Sequence, residues 1–309
     1  MGLEYRIREL AAKAGVSALK LSGFFDGYWA YWRGPFFDYA EAHGLHILPV
    51  HYYSPVPRIG KSTRRTSTGV PIDLEENRAR LQHLLQKYDD ELTRLFEQSL
   101  YNPANGAFGA LDAAALYCML REKKPNRIIE IGSGHSTLVT AAAIKESQVD
   151  DPTYSPNFTC IEPFLPDYLQ QAPAEVSEIL ITPLQSIPLE RFTSLMDGDL
   201  LFIDSTHVAN FGSDVLYEYL TILPALAKGV LIHVHDIFLP GDYPEKWLKE
   251  HRFFWNEQYI LEALLLMNPS FKVELAVHVA AEKIERTPAM VRHWPEVESV
   301  SFWISRVRS

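Results

Sequence analysis

The sequence predicts an α/β fold: a doubly wound, mostly parallel seven-stranded sheet with helices on both faces, plus a mainly helical N-terminal extension. Three observations predict it. From Arg127 onward, short apolar runs alternate with helix-length runs, the order that builds parallel sheets. The first of these, RIIEIGSGHST from Arg127 to Thr137, goes from a buried strand through a Gly-Ser-Gly turn directly into a helix. The last two apolar runs come late and close together, so the sheet is expected to end in an antiparallel, hairpin-like pair.

In chain order, Leu10 to Leu21 predicts a short helix. Phe24 to Tyr39 is dense in aromatic residues and reads as packing or an oligomer contact. Ile47 to Pro57 predicts a short strand and then a proline-broken loop, with His51, Tyr52 and Tyr53 read as packing. The polar stretch from 58 to 70 holds Arg58, Lys61, Arg64 and Arg65 and reads as a solvated loop. Its GKST is not a triphosphate loop, because Pro55 stands where that motif needs glycine. Glu75 to Leu100 places Leu81, Leu84, Leu85, Tyr88, Leu92, Leu95 and Phe96 at helical spacing, a helix or helix pair. Asn102 to Phe108 marks a boundary, so residues 1–105 are expected to form the extension and 106–309 the α/β domain. Leu111 to Glu122 predicts the next helix, ended by Pro125. The expected strands are Arg127–Ile131, Phe158–Glu162, Ile179–Thr182, Leu200–Asp204, Val230–His235, Phe271–His278 and Val300–Ser305. Ser213 to Ala227 predicts a covering helix, with Ser213 as its cap and Gly229 just past its end.

Composition narrows the partners. The 309 residues are 47% hydrophobic and 22% charged, enough for a substantial core. A formal net charge of −10 disfavours a nucleic-acid partner. The two cysteines, Cys118 and Cys160, lie in apolar runs and read as buried free thiols, which fits a reducing, cytoplasmic setting. No stretch reaches the apolar length of a membrane span.

Ligands of such sheets bind at the carboxyl ends of the strands. Gly132, Ser133 and Gly134 let the backbone approach a ligand, and the helix opening at Ser136 presents free N–H groups to it. Glu130 lies inside an apolar strand, where a carboxylate is costly unless a cation or donor meets it. That steers the reading toward a ligand bearing an amine. The second strand ends at Glu162, suited to a ribose diol. Gln185 is placed to edge an adenine. The fourth strand ends at Asp204 and the fifth at Asp236. A nicotinamide dinucleotide would need a third glycine where Thr137 stands, and an acid nearer than the roughly thirty residues from Gly132 to Glu162. Beside its pyrophosphate, Glu130 would repel. An NAD-dependent oxidoreductase is therefore the rival reading, and a non-catalytic module of the same fold the other.

The EIGSGHS turn, CIEPF and FIDSTH together resemble the class I S-adenosylmethionine-dependent methyltransferases, over roughly Leu111 to Ser309. DSTH, HDI, DYPEKW and WNEQY are most similar to small-molecule O-methyltransferases acting on sugars and catechols. The resemblance implies a seven-stranded sheet with its last strand antiparallel. It implies that Glu130 and the turn hold the methionine end of S-adenosylmethionine and Glu162 its ribose. It also implies methyl transfer to a hydroxyl of a small molecule, a sugar or glycosylated metabolite. His135 departs from the small residue of many members. His207, three residues after Asp204, is the candidate general base, with Asp204 and Asp236 beside it. Relatives hold a divalent ion with the acids matching Asp204 and the pair matching His235 and Asp236. A nitrogen at His235 disfavours Mg2+, so no metal ligand is assigned. His233 reads as structural. The loop Phe238–Tyr243 is expected to border the acceptor, with Trp247, Trp255 and Tyr259 read equally as lining it or as packing.

Overall fold

The computed structural model describes residues 3–21, 35–46, 48, 50, 53–59, 65–67, 69–294 and 299–308. The chain falls into two compact units. One comprises Met1–Thr63 and Leu248–Phe254, the other Arg64–Trp247 and Trp255–Ser309. The first contains helices Leu3–Leu21 and Pro35–Ala42. Most of the aromatic run, and much of the strand expected over 47–57, lie outside the described residues. So do Lys61 and Arg64 of the basic loop.

The second unit is built on seven strands: β1 Arg127–Ile131, β2 Asn157–Ile161, β3 Glu178–Leu180, β4 Leu200–Ile203, β5 Leu231–Val234, β6 Phe271–Ala276 and β7 Phe302–Arg306. Their spatial order is β3-β2-β1-β4-β5-β7-β6. All neighbouring pairs are parallel except those of β7, which runs antiparallel to both β5 and β6. The final pair is therefore present, but not as a tight hairpin. β7 slots between β5 and β6, and the connection carries helices Val277–Ala280 and Pro288–His293. Strands covered on both faces must be apolar throughout, and β4 and β5 are buried at every position.

The amphipathic run after residue 74 is a helix pair, Leu74–Lys87 and Asp89–Gln98. Asp73 caps the first by accepting from the N–H groups of Glu75 and Glu76. The sequence reading placed this pair in the extension. In the structure it belongs to the same compact unit as the sheet, because Leu81, Leu85 and Leu92 are fully buried in one core with Leu116, Phe158 and Trp303. Helix Ala110–Lys123 is buried from Leu111 to Arg121, and three successive alanines let it pack closely. Arg121 is stapled at its end to Glu91 at 2.6 Å, Asp150 at 2.6 Å and Ser147 at 2.8 Å. The covering helix is broken into Asp214–Tyr217, a π-turn Glu218–Ile222 and Leu223–Ala225. Pro224 has no N–H to continue a regular helical ladder there. Among the described residues no helix is long and apolar enough to cross a membrane.

Candidate active site at the strand ends

The strand order reverses direction between β1 and β4, the place where such sheets open a crevice. There the two strand ends touch. Gly132 sits at φ +82°, and a Cβ on it would come within 1.7 Å of the Asp204 carbonyl oxygen. Glycine is required here first by the neighbouring strand end, not by a ligand.

A cavity of about 620 Å3 lies over this point, lined among others by Gly132, Glu162, Gln185, Ser205 and Asp204. Four sequence-predicted residues thus meet on one cavity. Glu162 accepts the Phe164 N–H at 2.7 Å, and Gln185 donates to the Gly212 carbonyl at 3.0 Å. Glu130, Ser133, Gly134 and Ser136 are not part of that lining. Alternation along β1 puts Glu130 on the face opposite Ile129 and Ile131, under helix His135–Asp150. Its two oxygens accept from Ser136 at 2.6 Å and Thr137 at 2.7 Å, and the Cys160 thiol lies 3.4 Å away. Thr137 in turn accepts the Gly134 N–H at 3.0 Å. The carboxylate that the sequence assigned to a ligand amine ties the glycine turn to the helix start. Burial pushes Glu130 up to about 7, against the pull of those donors.

Asp204, His207 and Asp236 converge beside the cavity. His207 Nε2 lies 3.3 Å from both Asp204 and Asp236, and its Nδ1 lies 2.8 Å from Glu257. Tyr219 donates to the other Glu257 oxygen at 2.8 Å. His207 is buried, and Trp255 packs against its ring at 4.3 Å. Burial works against a charge on His207, yet Asp204 and Glu257 hold its pKa well above the ordinary value. Asp236 is pushed up to about 6 by burial, with His235 and His207 pulling the other way. The donor atoms of Asp204, His207 and Asp236 all lie within 4.8 Å of one another. One imidazole and two carboxylates at that spacing fit a divalent cation. His235, the residue on which the sequence reading disfavoured Mg2+, has both ring nitrogens buried without a hydrogen bond, and its Nε2 is 3.8 Å from Asp236.

A second cavity, about 570 Å3, is lined by Asp236. Its walls include Asp112, Trp247, Trp294 and Ser299. Asp112 also accepts from the N–H groups of Val300 and Ser301, at 3.0 and 3.1 Å. Of the aromatics read as lining the acceptor or as packing, Trp247 lines this cavity, Trp255 covers His207, and Tyr259 donates to Asp242 at 2.7 Å. Phe238, from the loop expected at the acceptor, packs against Trp247 at 4.9 Å. His233 is structural, bonded to Ser301 at 2.9 Å and stacked on Phe202.

Residues 129–237 match the family described as a methyltransferase domain. This region is a class I methyltransferase domain, of the family whose methyl donor is S-adenosylmethionine. An uncharacterised protein of Archaeoglobus fulgidus is 30% identical over 168 residues, 48% of this chain and 74% of that one. Among solved structures, the TDP-rhamnose 3′-O-methyltransferase of calicheamicin biosynthesis is 13% identical and covers 77% of this chain and 96% of its own, with a TM-score of 0.40. An isoaspartate-type O-methyltransferase of Plasmodium falciparum, bound to S-adenosylhomocysteine, is 12% identical over 52% of this chain and 83% of its own, with a TM-score of 0.31. Scores this low carry no weight; the assignment stands on the family match and the strand order. In this methyltransferase the residues missed by sequence reading are Glu257, Tyr219 and Asp112. Glu257 sits inside WNEQY, but an acid at a helix start is too common to single out.

Proposed function

We propose that this methyltransferase moves the methyl group of S-adenosylmethionine to a hydroxyl of a small polyhydroxylated acceptor, a sugar or glycosylated metabolite. The observation that supports it is the position of the Asp204–His207–Asp236 cluster. Asp204 faces the cavity lined by Gly132, Glu162 and Gln185, and Asp236 faces the second cavity. A donor in the first and an acceptor in the second would meet across the cluster. Glu162 accepts hydrogen bonds from the donor's ribose, and Gln185 edges its adenine. The acceptor oxygen attacks the methyl carbon, the carbon–sulfur bond breaks, and its electron pair stays on sulfur to give S-adenosylhomocysteine. The hydroxyl proton passes to the cluster. Asp236 is the member nearest the acceptor, and a carboxylate held at about 6 suits proton uptake near neutral pH. His207 holds Asp204 and Asp236 in place. A divalent cation bound by Asp204, His207 and Asp236 would supply Lewis acidity that lowers the hydroxyl pKa. Carboxylates and indoles together, as in Asp112, Asp236, Trp247 and Trp294, suit a ring with many hydroxyls and an apolar C–H face.

Calorimetric titration with S-adenosylhomocysteine tests the cofactor half, with NAD as control. Saturable binding is expected for the first ligand alone, weakened about tenfold or more in Glu162→Ala as a hydrogen-bonded carboxylate is lost. Preferential binding of NAD would overturn the reading. Tritium transfer from labelled S-adenosylmethionine to a panel of sugars tests the acceptor.

A further inference from the structure

Both the backbone and the side chain of His207 are held by one short segment, fifty residues later in the chain. His207 has φ +61°, a left-handed conformation that a histidine adopts at a cost. Its carbonyl accepts the N–H groups of Asn256 and Glu257 at 3.0 and 3.2 Å, the first free amides of helix Glu257–Leu265. The Asn256 side chain accepts the Ala209 N–H at 2.6 Å, locking the next turn of the same loop. Glu257 itself is fully buried and accepts from Tyr219 on one oxygen. Its other oxygen lies 2.8 Å from His207 Nδ1.

We propose that Glu257, anchored by Tyr219, is the positioning residue for His207. A carboxylate can only accept, from the Tyr219 hydroxyl on one oxygen and from the imidazole on the other, so Nδ1 carries a proton and Nε2 is the nitrogen turned to Asp204 and Asp236. Ring orientation and tautomer are thereby fixed together, as for a catalytic or metal-binding histidine oriented by a third group. Without Glu257, the ring would be free to turn about its side-chain bonds and to exchange tautomers. The helix start would still hold the backbone. This inference rests on the proposed function only in assigning His207 to the acceptor side of the site.

The test is nitrogen–proton NMR on full-length protein carrying labelled histidine, with His207→Asn identifying the His207 signals. The wild type is expected to show a downfield, exchange-protected ring proton on Nδ1. Glu257→Ala should lose that signal, and Glu257→Gln, whose amide oxygen still accepts, should retain it with faster exchange. Tyr219→Phe keeps the carboxylate but frees it, and should also speed exchange; it carries the test if the alanine variant does not fold. An unchanged Nδ1 signal in all three variants, or a proton on Nε2 alone in the wild type, would overturn the proposal. S-adenosylhomocysteine titration of the same samples separates the two ideas. Loss of binding by the wild type would sink the proposed function, whereas an NMR failure with binding intact sinks only the role of Glu257.

Discussion

Glu130 keeps an ionisable group where water does not reach, and that makes it a source of pH dependence. Its pKa rises from 4.5 to about 7 through burial. The folded state therefore binds the proton more tightly than the unfolded chain does. Stability from this group is fully present below about 4.5, falls as pH rises through 7, and is flat above. The gap corresponds to roughly 3 kcal/mol. Glu130→Gln keeps an acceptor for Ser136 or Thr137 and removes the charge. It is expected to gain stability over the wild type at pH 8 and little at pH 4, read as the difference between urea unfolding midpoints. A constant difference across that range would contradict the assignment. At this same scale the sequence was partly legible. The glycine turn and its acid are neighbours in the chain, so their association could be read directly. The partners of the acid were not, since the Cys160 thiol arrives from the next strand, 3.4 Å from the carboxylate. Glu257 was beyond reach, as no local pattern joins it to His207.

Element boundaries followed from hydrophobic patterning, because a strand buried on both faces must be apolar along its length. The expected β1, β2, β4 and β5 each overlap their observed spans to within a residue or two. Patterning also gave the antiparallel final pair, β6 with β7. What it did not give was the place of β7, which enters between β5 and β6. One side chain fixes that entry from another element. Asp112, on helix Ala110–Lys123, uses a single oxygen to accept from the Ser299 hydroxyl and the N–H groups of Val300 and Ser301. Asp112→Ala would remove the acceptor of the Ser299 hydroxyl and the Val300 N–H, leaving the Ser301 N–H only a longer contact to Ser299 Oγ at 3.4 Å, and should cost about 3 kcal/mol. Asp112→Asn keeps the oxygen and should cost about 1 kcal/mol or less. Equal unfolding free energies for the two variants would contradict this role.

For the whole molecule, the division lies earlier than composition placed it. A loop rich in glycine and asparagine stands before helix Ala110–Lys123, yet helices Leu74–Lys87 and Asp89–Gln98 bury their leucines in the same core as the sheet. Their apolar faces were visible in the sequence, but not what covers them. That shared core also encloses both thiols, Cys118 and Cys160, which have no exposed surface. Burial pushes each thiol pKa up, so neither is a reactive thiolate. Under native conditions both should resist a thiol reagent and react together only on global unfolding, measured by timed labelling and mass spectrometry. Fast labelling of one alone would indicate local opening of its part of the core. The sequence by itself determined the alternation of strands and helices, the glycine turn, and the acids at the strand ends. Each of these is written in residues adjacent or regularly spaced along the chain. Only the tertiary structure decided that Glu130 serves the turn, that β7 is inserted, and that Glu257 and Tyr219 hold His207. Those depend on which distant segments share a buried space, where an unpaired polar group is costly and its partner is set by proximity in the fold.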